Sequence, residues 1–246
     1  MIFRRKKTTP STRPQLIADK VPFEYEESYK ALRTNFNFIT SNGKARRIVI
    51  TSTLRDEGKS SLAINLAISL AQADTKVLLI DADLRNPSLC RYLGMNNQTE
   101  LGLSSLLSGN VKVGDCLTKT KYGVDLIAGG PIPPNPAELI TSEAMKDLLK
   151  VALNHYDYII CDAPPVGVIT DAAALSSLCD GVLYVIRHDF ATKNQTHDAI
   201  GKLKAVNAKI LGTIMTQYTA PKKSGKRYGY RYSEYKYGYG SGSNEK

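Results

Sequence analysis

Short apolar runs recur along the chain at intervals that leave room for a helix between most of them. They are "RRIVITS" (46–52), "KVLLIDAD" (76–83), "VDLIAGG" (124–130), "DYIICDAPP" (157–165), "GVLYVIR" (181–187) and "KILGTIMTQ" (209–217). Each is too short for a buried helix and is apolar on both alternating positions, so each reads as a strand covered on two faces. Longer segments lie between several of them: "GKSSLAINLAISLAQA" (58–73) and stretches around 143–154, 169–178 and 192–206. These predict helices. Upstream, Tyr25, Tyr29, Leu32, Phe36 and Ile39 fall near helical spacing within "FEYEESYKALRTNFNFI". Strands alternating with helices predict an α/β fold, a mainly parallel sheet with helices on both faces. No internal repeat interrupts the pattern, and one domain is expected over residues 21–220.

Charge changes this picture only at the two ends. The 246 residues carry a formal net charge of +10. Residues 1–20 hold six Lys/Arg against one acid, and residues 221–246 hold seven against two, which leaves residues 21–220 neutral. A neutral body with two basic arms is not a domain with a basic nucleic-acid face, so no nucleic-acid partner is expected. The opening "MIFRRKKTTP" has charge but no apolar core after it, and no apolar run approaches the roughly 18 residues of a membrane span. Four cysteines without CxxC spacing suit a reducing compartment, and a cytoplasmic location is expected.

Candidate chemistry begins at "TSTLRDEGKSSL" (51–62), between the first strand and a helix. In that position Gly58-Lys59-Ser60 reads as a phosphate loop of the P-loop NTPase type. Loop amides and the helix N-terminus would hold phosphates, Lys59 would neutralise them and Ser60 would ligate Mg²⁺. The candidate nucleotide-binding residues are Thr53, Glu57, Gly58, Lys59, Ser60 and Ser61. Thr53 stands where the usual first glycine would be. Leu54 stands where partitioning ATPases carry a second lysine, which argues against a switch of that kind. "LLIDADLRNP" then places Asp81 and Asp83 at the carboxyl end of a strand, the edge where open α/β sheets bind ligands. A period of two points both carboxylates to one side; a helix cap plus a turn residue explains either aspartate, but less easily both. Beside Mg·ATP, two such carboxylates could hold metal waters and accept the proton of an incoming hydroxyl. Asp162 ends "YDYIICDAPP" in the same way, as a Walker B aspartate that reaches the metal through water.

The tail "KRYGYRYSEYKYGYGSGS" (226–243) concentrates Tyr228, Tyr230, Tyr232, Tyr235, Tyr237 and Tyr239 among Gly, Ser and basic residues. Nothing there supplies an apolar face, so a role in packing is a poor account of six rings, and their phenolic hydroxyls are the better one. Together these segments resemble the bacterial tyrosine kinases of capsule and exopolysaccharide synthesis, in the cytosolic form of Gram-positive bacteria. "GLSSLLSG" and "AGGPIPPNPAELI" add to the likeness. The resemblance implies ATP and Mg²⁺ as cofactors and protein tyrosine as acceptor. It makes Asp81 the base toward the tyrosine hydroxyl, with Lys59 and Asp83 beside it. Ser60, Asp81, Asp83 and Asp162 become the metal set, and the six tail tyrosines the phosphoacceptors. Glu27, Lys30 and Arg33 would correspond to a ring-forming motif, with Lys30 where the family usually has Arg. Implied partners are further copies of the chain, a separate transmembrane adaptor that activates the kinase at the membrane, a tyrosine phosphatase and other protein substrates. The family usually has Pro-Gly where this chain has Arg55-Asp56, which implies weak unaided ATP binding. A partitioning-type ATPase and a weakly active scaffold are the competing readings.

Overall fold

The computed structural model describes residues 14–40, 46–95 and 101–218. Seven strands form one sheet in the order β3-β4-β2-β5-β1-β6-β7. They are β1 (Arg47–Ser52), β2 (Val77–Asp81), β3 (Leu117–Lys119), β4 (Asp125–Ile127), β5 (Tyr158–Asp162), β6 (Gly181–Arg187) and β7 (Ile210–Thr216). Every pairing is parallel except β3 with β4. The six expected strands are all present. The antiparallel β3 is additional, and its three residues with no fully buried position are too short to show a period.

Four short helices, α3 (Leu89–Leu93), α4 (Leu103–Leu107), α5 (Val113–Cys116) and α6 (Pro136–Ile140), fall between β2 and β5 in sequence, and strand alternation divides the core into two layers. On one face Val49, Leu78, Ile80, Ile159, Cys161, Val182 and Tyr184 meet apolar residues of α7 (Glu143–Ala152), α8 (Asp171–Ser176) and α9 (Lys193–Ala205). On the other, Ile48, Ile50, Leu79, Ile160, Leu183 and Val185 meet α2 (Lys59–Ala71), which α1 (Phe23–Thr40) covers in turn. Because α2 lies between sheet and α1, ten of its residues from Ser60 to Leu70 are buried, and it lacks the polar stripe of a surface helix. Each Leu or Ile buried there contributes about 1.5–3 kcal/mol. Helix α7 shows the opposite case. Met145, Leu148, Leu149 and Ala152 form one buried stripe, and Ser142 caps the helix by accepting from the Met145 amide at 3.2 Å. Among the described residues, no helix is long and apolar enough to cross a membrane.

The boundary expected at residue 20 cuts through packed structure. Leu16 and Ile17 are buried against the α2 layer. Asn65, inside α2, fixes them by accepting from the Ile17 amide at 2.8 Å and donating to the Gln15 carbonyl at 3.0 Å. Tyr25 of α1 donates to the same carbonyl at 2.9 Å. A polar stretch with two apolar residues has no periodicity to read; its anchor is a buried asparagine 48 residues away.

Candidate active site

The chain reverses its strand order around β1, whose neighbours are β5 and β6, and the next strand in sequence lies beyond β5. Such switch points open a crevice at the carboxyl ends of the strands. Here a cleft of about 580 Å³ lies there, with Arg55, Gly58, Lys59, Ser60, Asp83 and Arg187 among its lining residues. The loop from β1 to α2 bends through left-handed backbone at Asp56 (φ 62°) and Gly58 (φ 89°). Glycine adopts that region freely; aspartate is one of the few side chains that tolerate it. Hence Asp56 allows the loop to form where a glycine would be easier.

The loop is braced from behind. Glu57 is fully buried, and its carboxylate accepts from the Leu54 amide at 2.6 Å and the Arg187 amide at 3.4 Å. Thr216, at the end of β7, donates its hydroxyl to the Glu57 carbonyl at 2.6 Å. The side chain of Glu57 therefore faces the protein, not the cleft, and positions the loop instead of meeting a ligand. Thr53 is also turned inward, its hydroxyl 2.7 Å from that of buried Tyr184. Gly58, Lys59, Ser60 and Ser61 do line the cleft.

Strand β2 ends at Asp81, so Asp83 belongs to the turn that follows and not to the strand. Asp81 Oδ2 accepts from the amides of Ser88 and Leu89, at 2.8 and 2.9 Å, at the start of α3 (Leu89–Leu93). Asp83 Oδ1 accepts from the Asn86 amide at 3.1 Å. A cap and a turn thus account for one oxygen of each residue. They leave the other two. Asp83 Oδ2 lies 3.8 Å from Lys59 Nζ, which is itself 3.4 Å from Ser60 Oγ. Asp81 Oδ1 and both oxygens of Asp162 are buried without a hydrogen-bond partner among the described residues. Asp162 pairs in register with Asp81 across β2 and β5, so two strand ends deliver two carboxylates side by side.

Electrostatics follow from this placement. Burial, then the charge of Asp162, raises the Asp81 carboxyl well above the ordinary carboxylate range, against its two amide bonds. Burial raises Asp162 too, opposed by the charge of Lys59. Burial alone would lower Lys59, but Asp162, Asp83 and Asp81 outweigh it and the ammonium is held more firmly. Unpaired buried carboxylate oxygens are costly unless a cation meets them. Among the described residues, no group of three or more His, Cys, Asp or Glu side chains could hold a metal ion alone. Mg²⁺ is usually held by one or two carboxylates together with phosphate and water.

Relatives with the same architecture are known. An AAA domain profile matches residues 45–211. The tyrosine-protein kinase YwqD of Bacillus subtilis is 38% identical over 83% of this chain and 85% of its own. The putative tyrosine-protein kinase CapB of Staphylococcus aureus is 32% identical, over 94% of this chain and 99% of its own. The chain belongs to the bacterial tyrosine-protein kinase family. Its fold agrees with that of the kinase domain of the Escherichia coli tyrosine kinase ETK, with a TM-score of 0.80 at 30% identity over 93% of this chain and 89% of that one.

In this kinase the residues expected to mediate assembly are engaged within the chain. Lys30 Nζ lies 2.9 Å from both Glu27 and Glu26, and Arg33 donates to the Ser69 carbonyl of α2 at 2.5 Å. Glu27 and Lys30 form the i,i+3 pair of an ordinary solvated helix face, while Arg33 ties α1 to α2. The six tail tyrosines, and the arm before residue 14, lie outside the described residues. Two positions escaped the sequence reading. Arg187 is one, since an arginine ending an apolar strand shows no motif. Asp171 is the other: it is buried, and it receives Arg85 at 2.8 and 3.2 Å, joining the turn after β2 to α8.

Proposed function

We propose that the kinase transfers the γ-phosphoryl group of Mg·ATP to tyrosines of its own C-terminal tail, between copies of the chain. We further propose that it acts in polysaccharide synthesis beside a separate membrane adaptor that recruits it, with a phosphatase that resets it. The observation that carries the site reading is the pair of adjacent strand ends, Asp81 and Asp162, buried with three unpaired oxygens next to Lys59. Buried carboxylate oxygens so close to Lys59, at the N-terminus of α2, suit a phosphate-bound divalent cation.

Mg²⁺ held there would supply positive charge to the phosphate oxygens of the nucleotide. Ser60 and Asp83 face the cleft and would hold the ion from one side; Asp162, a layer deeper, would hold its waters. Lys59 opposes charge that develops on the transferred group. Asp81 is the base: its Oδ2 is occupied by two amides, its Oδ1 is free, and its raised carboxyl suits proton uptake near neutral pH. The tail supports the acceptor assignment, since six tyrosines stand there without apolar neighbours. Each phosphate adds about −1.5 to −2 charges to an arm of seven cations and two acids, so about three would reverse its sign. The test is direct: incubate the full chain with Mg·ATP, with and without an adaptor tail, and map phosphotyrosine by mass spectrometry. Modified residues among 228–239 are expected. Nucleotide hydrolysis without any phosphotyrosine would refute the assignment.

A further inference from the structure

Arg187 ends β6 and lines the same cleft as Lys59. Its Nη1 donates to the Asp56 carbonyl at 3.1 Å, and its guanidinium carbon lies 4.5 Å from the centre of the Phe190 ring. The phosphate loop on one side and an aromatic ring on the other therefore keep the group at the cleft. Arginine carries five N–H donors in a planar fork that matches phosphate oxygens, and only one is spent on Asp56.

The charge on the cleft wall gives this position its meaning. Arg55, Lys59 and Arg187 face Asp56 and Asp83 there, so without Arg187 the wall would be neutral. A neutral wall is poorly suited to a triphosphate, and Leu54 offers no charge from within the loop. We propose that Arg187 binds the phosphate chain of the nucleoside triphosphate, supplying from β6 the cation that takes the cleft wall above neutrality. This rests on the reading of the cleft as the Mg·ATP site. Because the contact is to the Asp56 carbonyl, not its carboxylate, Arg187 stays in place when residue 56 changes.

The full chain is titrated calorimetrically with ATP and with inorganic tripolyphosphate, each in Mg²⁺, as wild type, Arg187→Gln, Arg187→Lys and Lys59→Met. Arg187→Gln should weaken both ligands by the same factor, about tenfold to a hundredfold for charge-assisted hydrogen bonds. Arg187→Lys should fall between, since an ammonium keeps the charge and loses the fork. The same loss should persist in an Asp56→Gly background. Unchanged affinity overturns the proposal. A loss confined to ATP also overturns it, because the contact would then be to base or ribose. So does a loss that vanishes with Asp56→Gly, which would make Arg187 a counter-charge to that carboxylate only. If Arg187→Gln fails to fold, Arg187→Lys decides, and affinity equal to wild type refutes the assignment. Lys59→Met separates the two readings. If it binds both ligands normally, the cleft is not the phosphate site; if it alone loses them, only Arg187 is misassigned.

Discussion

At the scale of single residues, Asp81 and Asp83 show how one side chain serves structure and chemistry together. Each uses one oxygen to hold the turn after β2; Asp83 turns its other oxygen toward Lys59 at the cleft, and Asp81 keeps its other oxygen buried. Substitution by asparagine should therefore separate base from metal partner. Asp81→Asn should reduce phosphotyrosine formation by about 10²–10⁴-fold while ATP still binds, because general-base catalysis is worth that much and the proposed cation site keeps Asp83 and Asp162. Asp83→Asn should instead raise the Mg²⁺ concentration needed for half-maximal rate. Rate assays across a Mg²⁺ series distinguish the two, and an Asp81→Asn rate within twofold of wild type would remove its role as base. Asp56 gives a second residue-scale outcome. It holds φ at 62° in the loop and puts a carboxylate on the cleft wall. Asp56→Gly relieves both, and titration should show tighter ATP binding without any adaptor. Weaker binding would mean that the loop depends on the aspartate.

Between elements, the register of β2 with β5 brings two buried carboxylates together, and this has a cost that depends on pH. Both are raised by burial, so the folded chain keeps protons that the unfolded chain has already released at about pH 4. Their contribution is therefore fully present below the ordinary carboxylate range and is lost as pH rises through the raised values. Without metal, thermal unfolding should show the midpoint falling on that rise, and Asp162→Asn should flatten the fall. Mg·ATP should restore the midpoint of the wild type more than that of the variant. A metal-free midpoint that climbs over the same window would contradict the arrangement. The elements themselves were largely legible: six strands, α2, α7, α8 and α9 announce themselves by length and period, as does the site at the ends of β1, β2 and β5. What was not legible depends on distant partners. Glu57 sits inside the loop motif yet turns inward to amides at 54 and 187. Leu16 and Ile17 are held by Asn65, and Arg187 gains its place from Asp56 and Phe190. No local pattern encodes such contacts.

Across the whole molecule, β7 is the last described element, Tyr218 is the last described residue, and the tyrosines proposed as acceptors begin ten positions later at Tyr228. The active site opens at the carboxyl edge of the sheet, where β7 also ends, since it runs parallel to β6. Proximity alone would thus permit a chain to modify its own tail. The cleft argues otherwise, because Asp81 lies beneath it and a tyrosine must enter fully to bring its hydroxyl to Oδ1. A tail from another copy approaches without the constraint of its own short tether. Transfer between subunits is the expected result. A Lys59→Met chain with an intact tail should gain phosphotyrosine from an active chain whose six tail tyrosines are Phe, and the rate should rise with total protein concentration. If the Lys59→Met partner stays unmodified while the wild type labels itself at a rate independent of concentration, transfer is within the chain. Light scattering before and after ATP treatment tests the consequence for assembly. Phosphates that reverse the sign of a basic arm should shift the population toward monomer. The shift should be absent when the tail tyrosines are Phe, which ties it to the tail and not to nucleotide binding.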